Sequence, residues 1–208
     1  DPEEAVREIV GLVQHKLSRY YRTPSSQIQV LTPMQKGVVG ATNLNLALQE
    51  ALNPRGDGLR RSGFIFRRDG KVMQIRNNYD KEVFNGDIGI IESVDLQNRT
   101  LKVNFDQHVV EYESSELDEL VHAYATTIHK AQGLEYDSVK VIITEEIDSM
   151  ITHNIFYTAI TRSKRDLTIY WSPETQQKVI SNFQIADAKG DATVFAAQTH
   201  MKMRKIKN

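Results

Sequence analysis

Apolar residues recur at Val6, Ile9, Val10, Val13 and Leu17, the spacing of one helical face. Asp1 stands where it can cap that helix, Pro2 suits its first turn, and Glu3 and Glu4 lie beside the positive end of its dipole. The pattern predicts a packing helix rather than a site. Residues 27–31 (QIQVL) alternate as a strand does and run into Thr32-Pro33. Leu44, Leu48, Ala51 and Leu52 then repeat at helical intervals until Asn53-Pro54 stops them, so a strand feeding a helix is expected.

Between Arg55 and about Leu120 the pattern changes to short β-type runs at 71–76, 86–91 and 100–105, separated by the turn signals Asn77-Asn78, Asn85-Gly86 and Gln97-Asn98. Such a density of strands fits a small barrel. Helix and strand signals then alternate again: 138–143 reads as a buried strand, 154–164 as a helix and 167–171 as another strand. Phe156 and Trp171 lie on those apolar segments and are expected in the core. The predicted organisation is an α/β domain (1–56 plus 120–208) interrupted by an all-β insertion (57–119). There is no internal repeat and no low-complexity stretch. Beyond Ser172 the pattern weakens, and Gly190 argues against one long terminal helix.

Composition narrows the class. Hydrophobic residues make up 40% and charged residues 25%, and no apolar run approaches the roughly 18 residues of a membrane span. The acidic start, Asp1-Pro2-Glu3-Glu4, lacks the basic and apolar stretches of a secretory signal, so cytoplasm is the expected location. With no cysteine there is no disulfide framework and no thiolate metal site. The net charge of −1 argues against strong non-specific DNA affinity of the isolated chain. That charge is unevenly spread. Arg60, Arg61, Arg67, Arg68, Lys71, Arg76 and Lys81 form a basic stretch, Glu111, Glu113, Glu116, Asp118 and Glu119 an acidic one, and Lys202, Arg204, Lys205 and Lys207 a basic tail. Each can be read simply as a solvated face or a frayed end.

Two stretches carry chemistry: residues 123–137 (AYATTIHKAQGLEYD) and 154–165 (NIFYTAITRSKR). They resemble motifs V and VI of superfamily 1 helicases. Residues 29–40 (QVLTPMQKGVVG), followed by Leu44-Asn45, resemble motif IV of the RecD/TraA-type DNA helicases of superfamily 1B, and residues 72–80 and 83–87 resemble that family's SH3-like insertion. The similarity covers roughly 27–171 in the family's order. One departure is local: the family commonly shows Gly-Asp before the Lys/Arg-Val-Met segment, whereas this chain has Asp69-Gly70-Lys71. No phosphate-cradling G-x-x-x-x-G-K-[ST] occurs in the 208 residues. The resemblance therefore implies a second RecA-like domain, with a parallel sheet of P-loop NTPase type but no Walker A loop (domain 2A), interrupted by an SH3-like β-barrel (domain 2B). The first RecA-like domain, which would bind most of the ATP and Mg²⁺, is expected before Asp1 in the parent protein.

What the resemblance implies for single residues can be weighed against physics. Arg162 matches the motif VI arginine finger, and an always-charged planar fork suits phosphate, whereas alone it would read as a cation at a helix end. Lys36 falls where motif IV commonly presents a base to the same phosphate; alone it would be a surface lysine. Gln132 and Glu135 match motif V positions that couple nucleotide to DNA, with Gly133 ending a short helix at positive φ. Thr126 and Thr127, at an expected helix start, resemble DNA-backbone ligands, or else plain N-caps. His129 has no metal-ligand partner at suitable spacing, so with Lys130 it goes to the DNA group and no metal site is expected. In the barrel, Arg76, Asn77, Asn78, Tyr79 and Asn85 offer a cation, amides and an aromatic to single-stranded DNA, although asparagine pairs also simply make turns.

The expectation is a carboxyl-terminal segment of an ATP-dependent DNA helicase of recombination or repair. The resemblance implies 5′ to 3′ movement on single-stranded DNA. The expected partners are that DNA, the first RecA-like domain and other subunits of a nuclease complex. Two alternatives stay open: a non-catalytic nucleic-acid-binding or interaction module derived from a helicase half, and an RNA-directed enzyme.

Overall fold

The computed structural model describes residues 1–17, 27–145 and 147–187, with side chains given up to 14 in the first segment and up to 183 in the last. The side chain of Leu17, the basic tail and Gly190 lie outside the described residues. The chain divides into two compact units, Asp1–Leu44 with Ala125–Asn208, and Asn45–Tyr124. The insertion expected at 57–119 falls inside the second.

In the first unit, helix α1 (Pro2–Gly11) starts as its sequence predicts. The Asp1 side chain accepts from the Glu3 amide at 3.0 Å, and Ala5, Ile9 and Val13 are buried on one face. The chain continues from α1 into a wider π-type turn over Leu12–Leu17. Four strands form a wholly parallel sheet: β1 (Ile28–Thr32), β9 (Ala125–Thr127), β10 (Tyr136–Ile142) and β11 (Ser163–Tyr170), in the order β11-β10-β1-β9. The alternation of residues 27–31 suggests one wet face, yet β1 is buried along its whole length, including Gln29. A central parallel strand is covered on both faces, and its polar residues are buried with its apolar ones.

The turn after β1 is tight. Thr32 Oγ1 donates to the Val39 carbonyl at 2.7 Å, and the amides of Ala41 and Thr42 reach back to the carbonyls of Met34 and Gln35. A Cβ on Gly40 would sit 2.4 Å from the Lys36 carbonyl carbon, so only glycine fits there. Helix α2 (Ala41–Leu52) follows, with Leu44 and Leu48 fully buried, and spans the boundary between the units. Helix α3 (His153–Ile160) is capped by Thr152, whose hydroxyl accepts from the Ile155 amide. The predicted helix over 154–164 is thus corrected. It ends at Ile160, residues 161–162 turn, and Ser163 already begins β11. The Ser163 hydroxyl donates to the Asp166 carbonyl 2.8 Å away inside the new strand. Phe156 stacks on the buried Trp171 at 5.8 Å between centroids, beside Phe183 of α4 (Pro173–Asp187).

The second unit is all-β apart from the end of α2 and a short 3₁₀ turn. Strands β2 (Gly58–Arg61) and β3 (Phe64–Arg67) make a hairpin, and β4 (Lys71–Gln74), β5 (Ile88–Asp95), β6 (Thr100–Phe105), β7 (His108–Glu113) and β8 (Leu120–His122) form an antiparallel sheet in the order β7-β6-β5-β4-β8. Its core gathers Leu59, Phe66, Val72, Ile91, Val103 and Tyr112 among others. The Asp69-Gly70 departure becomes a turn. Asp69 takes φ +64, which aspartate tolerates better than most residues, and a Cβ on Gly70 would lie 2.8 Å from the Arg67 carbonyl oxygen.

The basic and acidic stretches, far apart in sequence, meet in this unit. Arg61 pairs with Asp118 at 2.5 Å, and Lys81 with Glu116 at 2.6 Å while its ammonium lies 4.6 Å from the Tyr112 ring centroid. Lys102 pairs with Glu111, and Arg67 donates to the Asn53 carbonyl. The hydrogen bonds from Arg61 and Ser62 hold the Asp118 carboxyl down at about 2. Lys71 is buried outright, and burial lowers its ammonium to about 7. Of the seven bases in the stretch, Arg60, Arg68 and Arg76 are exposed and have no ion-pair partner among the described residues.

Candidate functional site

The parallel sheet sorts the motif residues between its two ends. Register aligns Ile28 with Ser138 and Ser138 with Asp166, while Thr32 aligns with Thr127. The carboxyl ends of β1 and β9 therefore share one edge, and the amino ends of β10 and β11 share the other. Lys36, in the turn after β1, and His129 and Lys130, just after β9, belong to the carboxyl edge. Glu135, just before β10, and Arg162, just before β11, belong to the amino edge. Residues 128–135 leave one edge and arrive at the other, so motif V runs the length of the sheet.

At the amino edge Arg162 is half-buried and fixed by three neutral acceptors. Its Nε donates to the Thr158 carbonyl at 2.9 Å, Nη1 to the Leu134 carbonyl at 3.1 Å and Nη2 to Thr161 Oγ1 at 3.0 Å. The Arg162 carbonyl accepts from the Tyr136 amide at 2.8 Å, tying the turn to β10. Among the described residues no carboxylate pairs with this guanidinium. A half-desolvated cation without a counter-ion, its fork already oriented by carbonyls, is prepared to receive an anion. Glu135, by contrast, is exposed and pairs with Lys164 at 3.6 Å, and exposed pairs of this kind contribute little to stability.

Below this edge lies a buried ion pair. Lys140 of β10 is fully buried, and its ammonium donates to the Asp166 carboxylate and to Thr168 Oγ1 of β11. The Ser138 hydroxyl is a second donor to the Asp166 carboxylate, at 3.0 Å. Sequence patterning gives no hint of it, because Lys140 sits inside an apolar strand run.

Motif V does not start a helix. Thr126 and Thr127 end β9 with both residues buried, and the chain then makes successive tight turns: Ala131 N to Thr127 O at 3.0 Å, Gln132 N to His129 O at 3.2 Å, Leu134 N to Ala131 O at 3.0 Å. Thr127 Oγ1 accepts from the Lys130 amide, a capping role within the turn. His129, Lys130 and Gln132 are exposed. Gly133 takes φ +86, the left-handed value expected of it, at the end of these turns rather than of a helix.

In the barrel the five candidates divide. Asn77 Oδ1 accepts from the Asn85 amide, and Asn78 accepts from the Lys81 amide while donating to Glu119, so three amides serve the turn. Arg76 is exposed, and Tyr79 is 75% exposed with its ring packed edge-on against Phe84 at 5.9 Å. Phe84, itself exposed, is an aromatic neighbour that the turn-like sequence around it hid.

Among the described residues no three His, Asp or Glu side chains are grouped to hold a metal ion, and no helix is long and apolar enough to cross a membrane.

Comparison with known proteins agrees with this layout. Residues 44–105 match the ATP-dependent RecD-like DNA helicase SH3 domain, and residues 122–170 the UvrD-like helicase C-terminal domain. The ATP-dependent RecD2 DNA helicase of Deinococcus radiodurans is 39% identical over 137 residues, covering 66% of this chain and 19% of that protein. The RecBCD enzyme subunit RecD of Buchnera aphidicola is 27% identical over 158 residues, covering 73% of this chain and 26% of that protein. The chain thus spans about a fifth to a quarter of the length of these relatives. Among solved structures, the Pif1 helicase from Bacteroides, crystallised with ADP-AlF3 and ssDNA, superposes with a TM-score of 0.50 at 18% identity, covering 78% of this chain and 44% of that one, a likeness of fold. With a match to an SH3 domain of RecD-like type ahead of a match to a UvrD-like helicase C-terminal domain, the chain is similar to the RecD-like DNA helicases in both of its units.

Proposed function

We propose that the chain is the second motor domain, 2A, of an ATP-dependent DNA helicase, with its SH3-like domain 2B inserted, and that it works against a first RecA-like domain carried elsewhere in the same polypeptide. The observation that carries this reading is Arg162: a half-buried guanidinium, held by carbonyls at the sheet's amino edge and lacking a carboxylate.

In a two-domain motor the nucleotide sits between the lobes, so charge from the second lobe reaches the γ-phosphate only when the cleft closes. Closure is then linked to hydrolysis. Two of the five guanidinium N–H groups of Arg162 are left over after its three internal bonds, enough for the bidentate contact that phosphate favours. Because Arg162 also donates to the Leu134 carbonyl, a shift of the fork toward phosphate pulls on motif V directly. Gln132 and Glu135 stand along that segment as nucleotide contacts, and Thr126, Thr127, His129 and Lys130 at its far end as contacts to single-stranded DNA. Residues 128–135 are thus the mechanical link between nucleotide and strand. Bound ATP supplies the phosphoryl group whose charge this lobe stabilises. Mg²⁺ falls to the other lobe, as the resemblance to RecD-type helicases implies. The barrel adds Tyr79 and Arg76 as a strand-facing surface, with Asn77, Asn78 and Asn85 shaping its turn. Movement 5′ to 3′, a role in recombination or repair, association with nuclease subunits and a cytoplasmic location complete the reading.

The test is Arg162→Ala in the full-length protein. The expected result is a fall of about 10³ to 10⁵ in kcat at saturating DNA, with DNA affinity within about twofold of the unaltered protein. The isolated 208-residue chain is expected to show no DNA-stimulated ATPase. An unchanged kcat in Arg162→Ala would instead favour a non-catalytic binding module.

A further inference from the structure

The resemblance to motif IV groups Lys36 with Arg162 at one phosphate, but the sheet separates them. Thr32 closes β1 at the level of Thr127, and Lys36 lies beyond that level, in a turn pinned by the Thr32 hydroxyl and by the amides of Ala41 and Thr42. Arg162 lies beyond the opposite end, ahead of the Asp166–Ser138–Ile28 row. The intervening strand alone, Ile28 to Thr32, is about 13 Å long at roughly 3.3 Å per residue. A lysine side chain reaches about half that far, so the two cations serve different ligands.

What Lys36 does share is its edge. β1 and β9 are adjacent, so the turn holding Lys36 lies beside the start of motif V, with His129 and Lys130. The side chains of Lys36 and Lys130 are exposed, and among the described residues neither has an ion-pair partner. Elsewhere in this unit lysines are engaged: Lys140 with Asp166, Lys164 with Glu135, Lys178 with Asp148. The turn is also held closely, since its hydrogen bonds tie it to β1 and α2 and Gly40 admits no Cβ beside the Lys36 carbonyl, so Lys36 stands on a fixed support. Two unpaired ammonium groups on neighbouring strand ends suit a ligand with anions repeated along its length, which a polynucleotide backbone supplies and a single triphosphate at the far edge does not.

We infer that Lys36 contacts the backbone phosphates of single-stranded nucleic acid, together with Lys130, at the carboxyl edge of the sheet, and takes no part in binding the nucleotide. This rests on the motor-domain reading only in naming the ligand, and the assay separates the two. Binding of fluorescent oligo-dT to the full-length protein is measured against salt for the unaltered protein, Lys36→Ala and Lys36→Arg, alongside ATPase activity. For Lys36→Ala the expected results are a salt slope shallower by about 0.7, the value for one phosphate on a single strand, and affinity about fivefold weaker in 0.1 M salt. KM for ATP, read at saturating DNA, does not rise, and Lys36→Arg restores binding. A raised KM for ATP, or an unchanged salt slope, overturns the inference. If the unaltered protein lacks DNA-stimulated ATPase, the motor reading fails, while the salt slope still decides Lys36.

Discussion

The two units of this chain treat charge in opposite ways. In the barrel unit, cations and carboxylates from distant stretches close on one another: Arg61 with Asp118, Lys81 with Glu116, Lys102 with Glu111. In the parallel-sheet unit, Arg162, Lys36 and Lys130 stand at strand ends with no carboxylate partner among the described residues. A basic stretch in sequence therefore says little about where a polyanion binds. The seven bases of 60–81 look like the nucleic-acid face, yet most of them hold the barrel together. The isolated cations Arg162, Lys36 and Lys130, one per turn, are left open without a basic stretch to announce them. The near-zero net charge fits this arrangement, because closed pairs add nothing to it.

The comparison is broken most forcefully inside the sheet unit, where one pair is closed and buried. Asp166→Ala would leave the buried Lys140 ammonium facing Thr168 without its carboxylate. Removing one partner of a buried pair costs about 3–5 kcal/mol. Denaturant unfolding of the 208-residue chain should show that loss. The joint change Lys140→Met with Asp166→Asn should recover most of it, because no buried charge remains. If Asp166→Ala unfolds at the denaturant concentration of the unaltered chain, the pair is not structural and belongs with the open cations.

The next effect lies in the barrel unit and concerns a charge it excludes. His122 sits among the rings of Phe64, Phe66 and Tyr124, and burial, helped by Arg67, lowers its imidazole to about 4. In the unfolded chain it protonates near 6.5. Below that pH the unfolded state takes up a proton that the folded state refuses, so stability is intact above about 6.5 and falls as pH drops toward 4. The full difference is about 3 kcal/mol. His122→Phe should remove that slope. Spectroscopic melting between pH 7 and 4 reads it, and an unaltered slope in the variant would assign the acid sensitivity to other groups.

Much of the fold is legible in the sequence for a physical reason. Amphipathic periodicity reports burial on one face, and α2 and β6 follow it with the expected boundaries, while α1 starts where expected but gives way at Leu12 to the π-type turn. It fails where burial is two-sided or where a turn decides. β1 is covered on both faces, so its alternation misleads. The end of α3 is set by the turn at Thr161 and Arg162, and the apolar pattern does not mark it. β8 is stabilised by a partner distant in sequence, β4, which local patterning cannot register, whereas β2, β3 and β7 are short hairpin strands without a clear alternation of their own. For the site, residue type and motif order name Arg162, Glu135 and Lys36. Which edge each occupies depends on strand order and direction, and those follow from pairing between β1, β9, β10 and β11.

The smallest effect sharpens the contrast most. The barrel's pairs leave it with an aromatic exposed surface, Tyr79 edge-on to Phe84 with Arg76 nearby in sequence. Stacking a base on such a ring contributes about 1–3 kcal/mol and depends little on ionic strength, whereas a lysine–phosphate contact fades as salt rises. Tyr79→Ala in the full-length protein should therefore weaken oligo-dT binding by about fivefold, near the lower limit of that range because one ring is lost and Phe84 remains. The loss should be equal at 0.05 and 0.3 M salt, leaving the slope of affinity against salt parallel to that of the unaltered protein. Lys36→Ala should change the slope itself. A Tyr79→Ala loss that vanishes at high salt would mean that the barrel also meets the strand through charge, and the division between a cationic sheet edge and a stacking barrel would fall.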